Sequence, residues 1–446
     1  MRSRRIALFN LNMTHRDPRV LRTASALAGL GHEVVVFEMR HAKMPEHDTV
    51  RGVEIRRIPI PESYTDADMA QFGRVSPEAA NVIKKANPDV YAAGSSGAPR
   101  QTLRFANKFL ARIARGVRAR IPPRSLTKDE WSEILNIRSI MQVNLAIFQA
   151  AREYAPELAH CNDLDTLLIG FMLKKTIGSI LVYDAHEIYP EQFADNMRSE
   201  IWHSFYTAFE RQLIRWVDAK LTVCDSLGEY FAKVYNSPGF VTIRNLPSVG
   251  QLASEHVLER RRERPKILYH GAYAAHRGLE QVMAAARRLE GADFVFRGIG
   301  SYGENLKRVA AELGVGDRVS FVDPVGVDQL VPSASECDIG LNPFIPVCKN
   351  TEYALPNKFF EYLMAGLACA SSDLVEIRRH TERYRVGRLF PSLEPDAIAE
   401  TLKDLISRPD ELVEYRRNAL RAARDELNWE HEMQKFHAFY RPILNG

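Results

Sequence analysis

The sequence predicts an α/β fold of two doubly wound, Rossmann-like domains, and three observations lead there. Short apolar runs alternate with amphipathic helical stretches over most of the chain, which is the pattern of successive βαβ units building a parallel sheet covered on both faces. That alternation runs once to about residue 248 and again from about residue 265 to 429, with a polar, proline-bounded segment between. At 446 residues the chain also exceeds one ordinary hydrophobic core.

Composition narrows the class. With 46% hydrophobic and 26% charged residues the protein reads as globular. Sixty Lys and Arg against 56 Asp and Glu leave a formal charge of +4, too small to argue for a nucleic-acid partner. The five cysteines (Cys161, Cys224, Cys337, Cys348, Cys369) are dispersed without metal-like spacing, so reduced thiols and a cytoplasmic setting are expected. The basic MRSRR is followed by too short an apolar run for a signal peptide, and no window holds the roughly 18 to 20 apolar residues of a spanning helix. Membrane contact is expected to be peripheral.

The first domain opens with a strand over Arg5 to Asn10, a polar loop to Asp17, and a helix from Pro18 with Val20, Leu21, Ala24 and Leu27 on one face. Gly29 and Gly31 end that helix before the strand HEVVVFE. The loop lacks the glycine-rich dinucleotide fingerprint, which argues against a nicotinamide site. Val53 to Ile58 extends the sheet. About residues 60–155 form a helical insert, in which Arg100 to Arg124 holds eight basic residues and no acid. Leu103, Phe109, Leu110 and Ile113 share one side of that helix, and Arg104, Lys108, Arg112 and Arg115 the other. This fits a helix lying on an anionic membrane surface, and equally an amphipathic helix packed on its own domain. Thr127 and Glu130 predict a capping box for a helix reaching about Tyr154.

Strands resume at Leu158 to Cys161 and Ile180 to Asp184, each followed by a polar loop: His160-Cys161-Asn162-Asp163 and Asp184-Ala185-His186-Glu187. Ligands of such sheets bind at the carboxyl ends of strands. Asp163-Leu164-Asp165 spells a D-x-D, but it opens a helix here, so helix capping and no metal are expected.

In the second domain the strands KILYH, FVFRG, VSFV and IGLN alternate with helices and lead to TEYALPNKFFEYLMAGLACASSD, residues 351–373. Leu355-Pro356-Asn357 reads as a helix start, whose free N–H groups and positive dipole end suit a phosphate. Glu361, one turn on and on the same side, is placed to accept hydrogen bonds from a sugar hydroxyl.

The order of RDPRVLRTASALAGLGHEVVVF, YDAHEIYPE, YHGAYAAHRGLEQVMAAARRL, FRGIGSYGENLKRVAAELGVGDRVSFV and PNKFFEYLMAGLACASSD resembles family 4 of the glycosyltransferases, retaining enzymes of the GT-B fold that use nucleotide-sugar donors. The resemblance covers the chain except about residues 60–155. It implies two Rossmann-like domains facing a cleft, with residues 430–446 crossing back to the first after Trp429.

The resemblance places the nucleotide diphosphate in the second domain. Arg277, before Gly278, stands where the family has a lysine that neutralises diphosphate charge. The arginine usual five positions earlier is replaced by Ala272, which leaves Arg297 or Lys358 to compensate. Of the family's two glutamates spaced E-x7-E, Glu361 matches the second and is expected on the donor ribose. The first falls on Tyr353, with Glu352 one residue off. Backbone at Ala354, Leu355 and Pro356 is expected to line the sugar pocket, with Asn357 and Lys358 at the phosphate. The loops Gly298 to Ser301 and Val322 to Val325 are expected to read the base.

From the first domain the resemblance implies that His186 contacts the donor sugar. Asp184 and Glu187 would orient it or take the acceptor hydroxyl, and Asp17, His160 and Asp163 are further acceptor-side candidates. The resemblance also implies same-face attack, in which the leaving phosphate takes the acceptor proton and no carboxylate nucleophile is obligatory; no metal or cofactor is expected. The expected function is transfer of a sugar from a nucleotide-diphosphate sugar to a glycan or lipid-linked acceptor, at the inner face of the plasma membrane if the Arg100–Arg124 helix touches lipid. Two other readings remain: a non-catalytic relative binding a nucleotide or protein partner, and an epimerase or phosphorylase of the same fold.

Overall fold

The computed structural model describes residues 2–40, 44–59, 112–113, 126–192 and 198–445. The basic stretch Arg100–Arg124 and most of the insert lie outside the described residues, apart from 112–113. No helix among the described residues is long and apolar enough to cross a membrane. The chain divides into two compact units, one of residues 1–223, 227–242 and 439–446, the other of residues 224–226 and 243–438.

Among the described residues the first unit holds eight strands: β1 (Arg5–Asn10), β2 (Glu33–Met39), β3 (His47–Val50), β4 (Val53–Ile58), β5 (Leu158–Asn162), β6 (Ile180–Ala185), β7 (Ala219–Thr222) and β8 (Phe240–Thr242). Their order is β3-β4-β2-β1-β5-β6-β7-β8. All neighbours are parallel except β3 and β4, which form an antiparallel hairpin. Residues 6–9 of β1 are all fully buried, as a strand covered on both faces requires. The chain winds outward from β1 in one direction and from β5 in the other, so a switch point falls between the carboxyl ends of these two strands. The expected capping box is present: the Thr127 side chain accepts from the Glu130 N–H and Glu130 accepts from the Thr127 N–H, opening a helix over Lys128–Tyr154.

The second unit carries β9 (Lys266–His270), β10 (Asp293–Arg297), β11 (Val319–Val322), β12 (Ile339–Asn342), β13 (Ala368–Ser372) and β14 (Gly387–Phe390) in the order β11-β10-β9-β12-β13-β14, all parallel. Ile267 and Tyr269 of β9 enter one apolar cluster and Leu268 the other, so both faces of this sheet are covered as well. Its switch point lies between β9 and β12. Residues 247–264 are not a bare tether. They form short 3-10 turns, bury Val257, and dock by backbone on this unit, with the Ala253 N–H donating to Met364 O at 2.9 Å and Arg416 donating to Val257 O at 2.7 Å.

Candidate active site

In the first unit, polar side chains converge where β1, β5 and β6 end. Asp184, the penultimate residue of β6, has no solvent exposure, and Arg19 at the start of the Pro18–Gly29 helix grips it in a bidentate pair, Nε to Oδ2 at 2.9 Å and Nη2 to Oδ1 at 2.5 Å. Burial alone would raise the Asp184 pKa, but the Arg19 charge, His186 and a His160 hydrogen bond more than offset it and hold the carboxyl well below the usual range. Asp184 is therefore a fixed anion committed to Arg19.

His186 sits beside that anion. Its backbone N–H donates to Asp163 Oδ1 at 2.9 Å, its Nδ1 lies 3.0 Å from Asp163 Oδ2, and its Nε2 is 3.4 Å from Asp184 Oδ2. Burial opposes the imidazolium, yet Asp163 and Asp184 together raise its pKa well above the usual histidine value. The ring is therefore a cation held between the Asp163 and Asp184 carboxylates, a charge-stabilising group rather than a base for proton abstraction.

Asp163 corrects an expectation. It precedes the Leu164–Thr166 turn, but its side chain makes no cap hydrogen bond, because a φ of 61° turns the carboxylate to the His186 loop instead. Asp17 does cap a helix, accepting from the N–H groups of Arg19 and Val20 at 3.0 and 3.2 Å. Glu187 accepts from Gln192 Nε2 at 2.6 Å. His160 is fully buried, with Nδ1 2.5 Å from the Tyr440 hydroxyl and Nε2 3.5 Å from Asp184 Oδ2. Four of the expected residues, His160, Asp163, Asp184 and His186, thus form one network. Arg19, which organises it, drew no attention in the sequence; its one signal was a cation in the first helical turn after a strand end.

In the second unit the candidate site lies at the β9–β12 switch point. The helix Asn357–Met364 begins directly after Pro356, which occupies the flanking cap position rather than the first turn. Lys358, in its first turn, reaches back over the end of β9, with Nζ 3.8 Å from the centroid of Tyr269 and 5.2 Å from that of Phe344. The Arg277 guanidinium lies over the same Phe344 ring at 4.6 Å. Among the described residues neither cation has a carboxylate within ion-pair distance. Burial first, and the like charge of Arg277 second, push the Lys358 pKa well below the usual lysine range, with Glu361 offsetting only part.

Backbone fills the space that side chains would take. A Cβ on Gly278, whose φ is +67°, would meet Pro343 O at 1.9 Å; one on Gly298 would meet Gly271 O at 1.9 Å, and one on Gly300 would meet Tyr273 O at 2.0 Å. The turns after β9, β10 and β12 are therefore laid against one another with no room for side chains. Ala272 contributes its carbonyl, which accepts from the Tyr269 hydroxyl at 2.8 Å.

Glu361 is partly buried, with Oε2 2.8 Å from Nε2 of His270, the last residue of β9. The sequence did not single out His270, although a histidine immediately before a glycine turn was its visible sign. Arg297 donates to Ser333 Oγ at 3.0 Å, which leaves Lys358 as the cation beside Arg277. Glu352 pairs with Lys349 at 2.5 Å, Leu355 packs on the apolar cluster of the Asn357–Met364 helix, and Tyr353 offers its carbonyl to Cys224 Sγ at 3.8 Å. Val322 ends β11, in register with Arg297.

Residues 264–408 match the family model of glycosyl transferases group 1. The GDP-mannose-dependent alpha-(1-6)-phosphatidylinositol monomannoside mannosyltransferase of Mycobacterium tuberculosis is 24% identical over 188 residues, 40% of this chain. That match spans about half, 48%, of the curated relative. Sucrose-phosphate synthase from Thermosynechococcus elongatus superposes with a TM-score of 0.70 at 15% identity over 99% of both chains. WaaG, a glycosyltransferase involved in lipopolysaccharide biosynthesis, gives 0.63 at 14% identity over 97% of this chain and 99% of its own. Anabaena Alr3699/HepE, solved in complex with UDP-glucose, gives 0.63 at 12% identity over 98% and 100%. The fold is of the GT-B class these structures share.

Proposed function

We propose that this chain, a GT-B protein whose residues 264–408 match the family model of glycosyl transferases group 1, transfers a sugar from a nucleotide-diphosphate sugar to an acceptor hydroxyl with retention of configuration. The observation that carries the reading is the pair of basic side chains, Arg277 and Lys358, set side by side over Phe344 at a sheet switch point, with no carboxylate of the described residues within ion-pair distance of either. Two adjacent basic side chains at a helix start are complementary to a diphosphate, whose charge favours the protonated form of Lys358. They are worth most when the bond to the sugar breaks and charge builds on the departing phosphate. That phosphate takes the proton of the attacking hydroxyl, so no carboxylate nucleophile enters, and the cations fill the role a metal would otherwise have.

Relatives support the same class: one is GDP-mannose-dependent and acts on phosphatidylinositol monomannoside, and another serves lipopolysaccharide biosynthesis. A glycan or lipid-linked acceptor, met by a cytoplasmic protein at an anionic membrane surface, is the corresponding proposal here. Purified protein mixed in turn with UDP- and GDP-sugars is expected to bind a donor and hydrolyse it slowly, with EDTA without effect. Glu361→Ala should weaken that binding. If no donor binds and the substitution changes nothing, the reading fails.

A further inference from the structure

His270 owes its place to a chain of contacts beginning at Gly340. A Cβ there would sit 2.3 Å from the Tyr362 ring, so only glycine lets that ring lie flat on β12. The Tyr362 hydroxyl then donates to Leu341 O at 3.2 Å and accepts from the His270 N–H at 3.1 Å. The His270 ring stacks on Tyr362 with centroids 4.7 Å apart and planes 27° from parallel. Only 2% exposed, it has little freedom to turn, and its Nε2 faces Glu361 Oε2 at 2.8 Å. The contact is close but bent. Among the described residues neither ring nitrogen makes a full hydrogen bond, although both are buried.

A buried, stacked and incompletely satisfied histidine against a partly exposed carboxylate holds one of the two carboxylate oxygens and leaves the other to a ligand. We propose that His270 is the positioning residue for Glu361: it anchors Oε2 so that Oε1 faces the donor ribose hydroxyls. Without the anchor Glu361 would sample several rotamers on the surface of a helix, and its preference for a ribose over a sugar lacking those hydroxyls would fade. This rests on the reading of the second unit as the nucleotide site.

The test measures binding of UDP and GDP, and of their 2′,3′-dideoxy counterparts, to the full chain by calorimetry. Wild type should prefer the ribonucleotide by about tenfold, the scale of one hydrogen bond to a charged group, and Glu361→Ala should abolish the preference. In His270→Gln the amide nitrogen reaches nearly where Nε2 lies, so the preference should survive. In His270→Asn the amide stops at the Nδ1 position, so the preference should fall to within about twofold while affinity for the dideoxy compound is unchanged. A merely structural role would weaken both nucleotides alike in both variants. Retention of the full preference by His270→Asn, or its equal loss in both variants, would overturn the inference and leave the nucleotide site standing. Absence of any nucleotide binding by wild type would overturn both.

Discussion

Arg277 and Lys358 share one aromatic ring, their charges 4.6 and 5.2 Å from the centroid of Phe344, and each raises the cost of the other. A diphosphate relieves that repulsion. Arg277→Ala and Lys358→Ala should each weaken nucleotide-diphosphate binding by about ten- to hundredfold, with the double variant losing less than the product of the two. Because burial and Arg277 hold the Lys358 pKa down, an arriving anion should raise it, and binding should take up protons at pH values where Lys358 is partly deprotonated beforehand. Calorimetry in buffers of different ionisation enthalpy reads this directly; Lys358→Ala should abolish the uptake.

His186 supplies a second prediction. Its folded pKa is raised above the unfolded value of about 6.5. The stabilisation it brings is therefore complete below that unfolded value and is lost as pH rises through the higher folded one. His186→Gln should lower the Tm most below about pH 6.5, and the gap to wild type should narrow as pH rises above that value. A pH-independent gap would show that the imidazolium is not what Asp163 and Asp184 hold.

Glu210 runs the same logic on a carboxyl. It is fully buried, receives hydrogen bonds from the Tyr183 and Tyr235 hydroxyls at 2.7 Å each, and is pushed up to about 7, chiefly by burial. With a folded pKa above the unfolded one, the unfolded chain ionises first, so stability declines as pH climbs from about 4.3 through 7. Glu210→Gln removes that ionisation, and its Tm relative to wild type should rise between pH 5 and pH 8.

Two glycines of matching backbone separate strain from crowding. Gly278 has φ +67°, and a Cβ there would lie 1.9 Å from Pro343 O, whereas Gly314 has φ +65° and open space. Gly314→Ala should cost about 1 kcal/mol in urea unfolding. Gly278→Ala should cost about 2 kcal/mol more, because backbone must move, and it should weaken nucleotide binding as well.

Features with local causes were legible in the sequence. The Thr127–Glu130 box, the helix opening after Pro356 and the strand alternation all follow from spacings of a few residues, and the structure has them. Arg277 and Glu361 stood out through their motifs. The pairs that finish each site did not, because they join residues far apart in the chain: Arg19 meets Asp184 across 165 positions and His160 meets Tyr440 across 280. No propensity encodes such a meeting. The β3–β4 hairpin was missed for a different reason, since HDTV is too short and polar to show alternation. Asp163 misled because D-x-D before a helix is a capping pattern, and only a left-handed φ redirects its side chain.

Tyr440 has one more consequence, and it concerns order in time. This residue, fully buried against His160, belongs to the first unit, yet in the chain it follows the whole of the second. A ribosome therefore exposes strands β1 to β8 long before the ring that fills the interior beside them has been made. Until then His160 lacks its hydroxyl partner and the site around Asp184 has a gap where an aromatic ring belongs. The nascent first unit should remain protease-sensitive while the second is being synthesised and acquire its native resistance only when the helix carrying Tyr440 emerges, so that maturation of the Asp184 network waits on translation of the second unit.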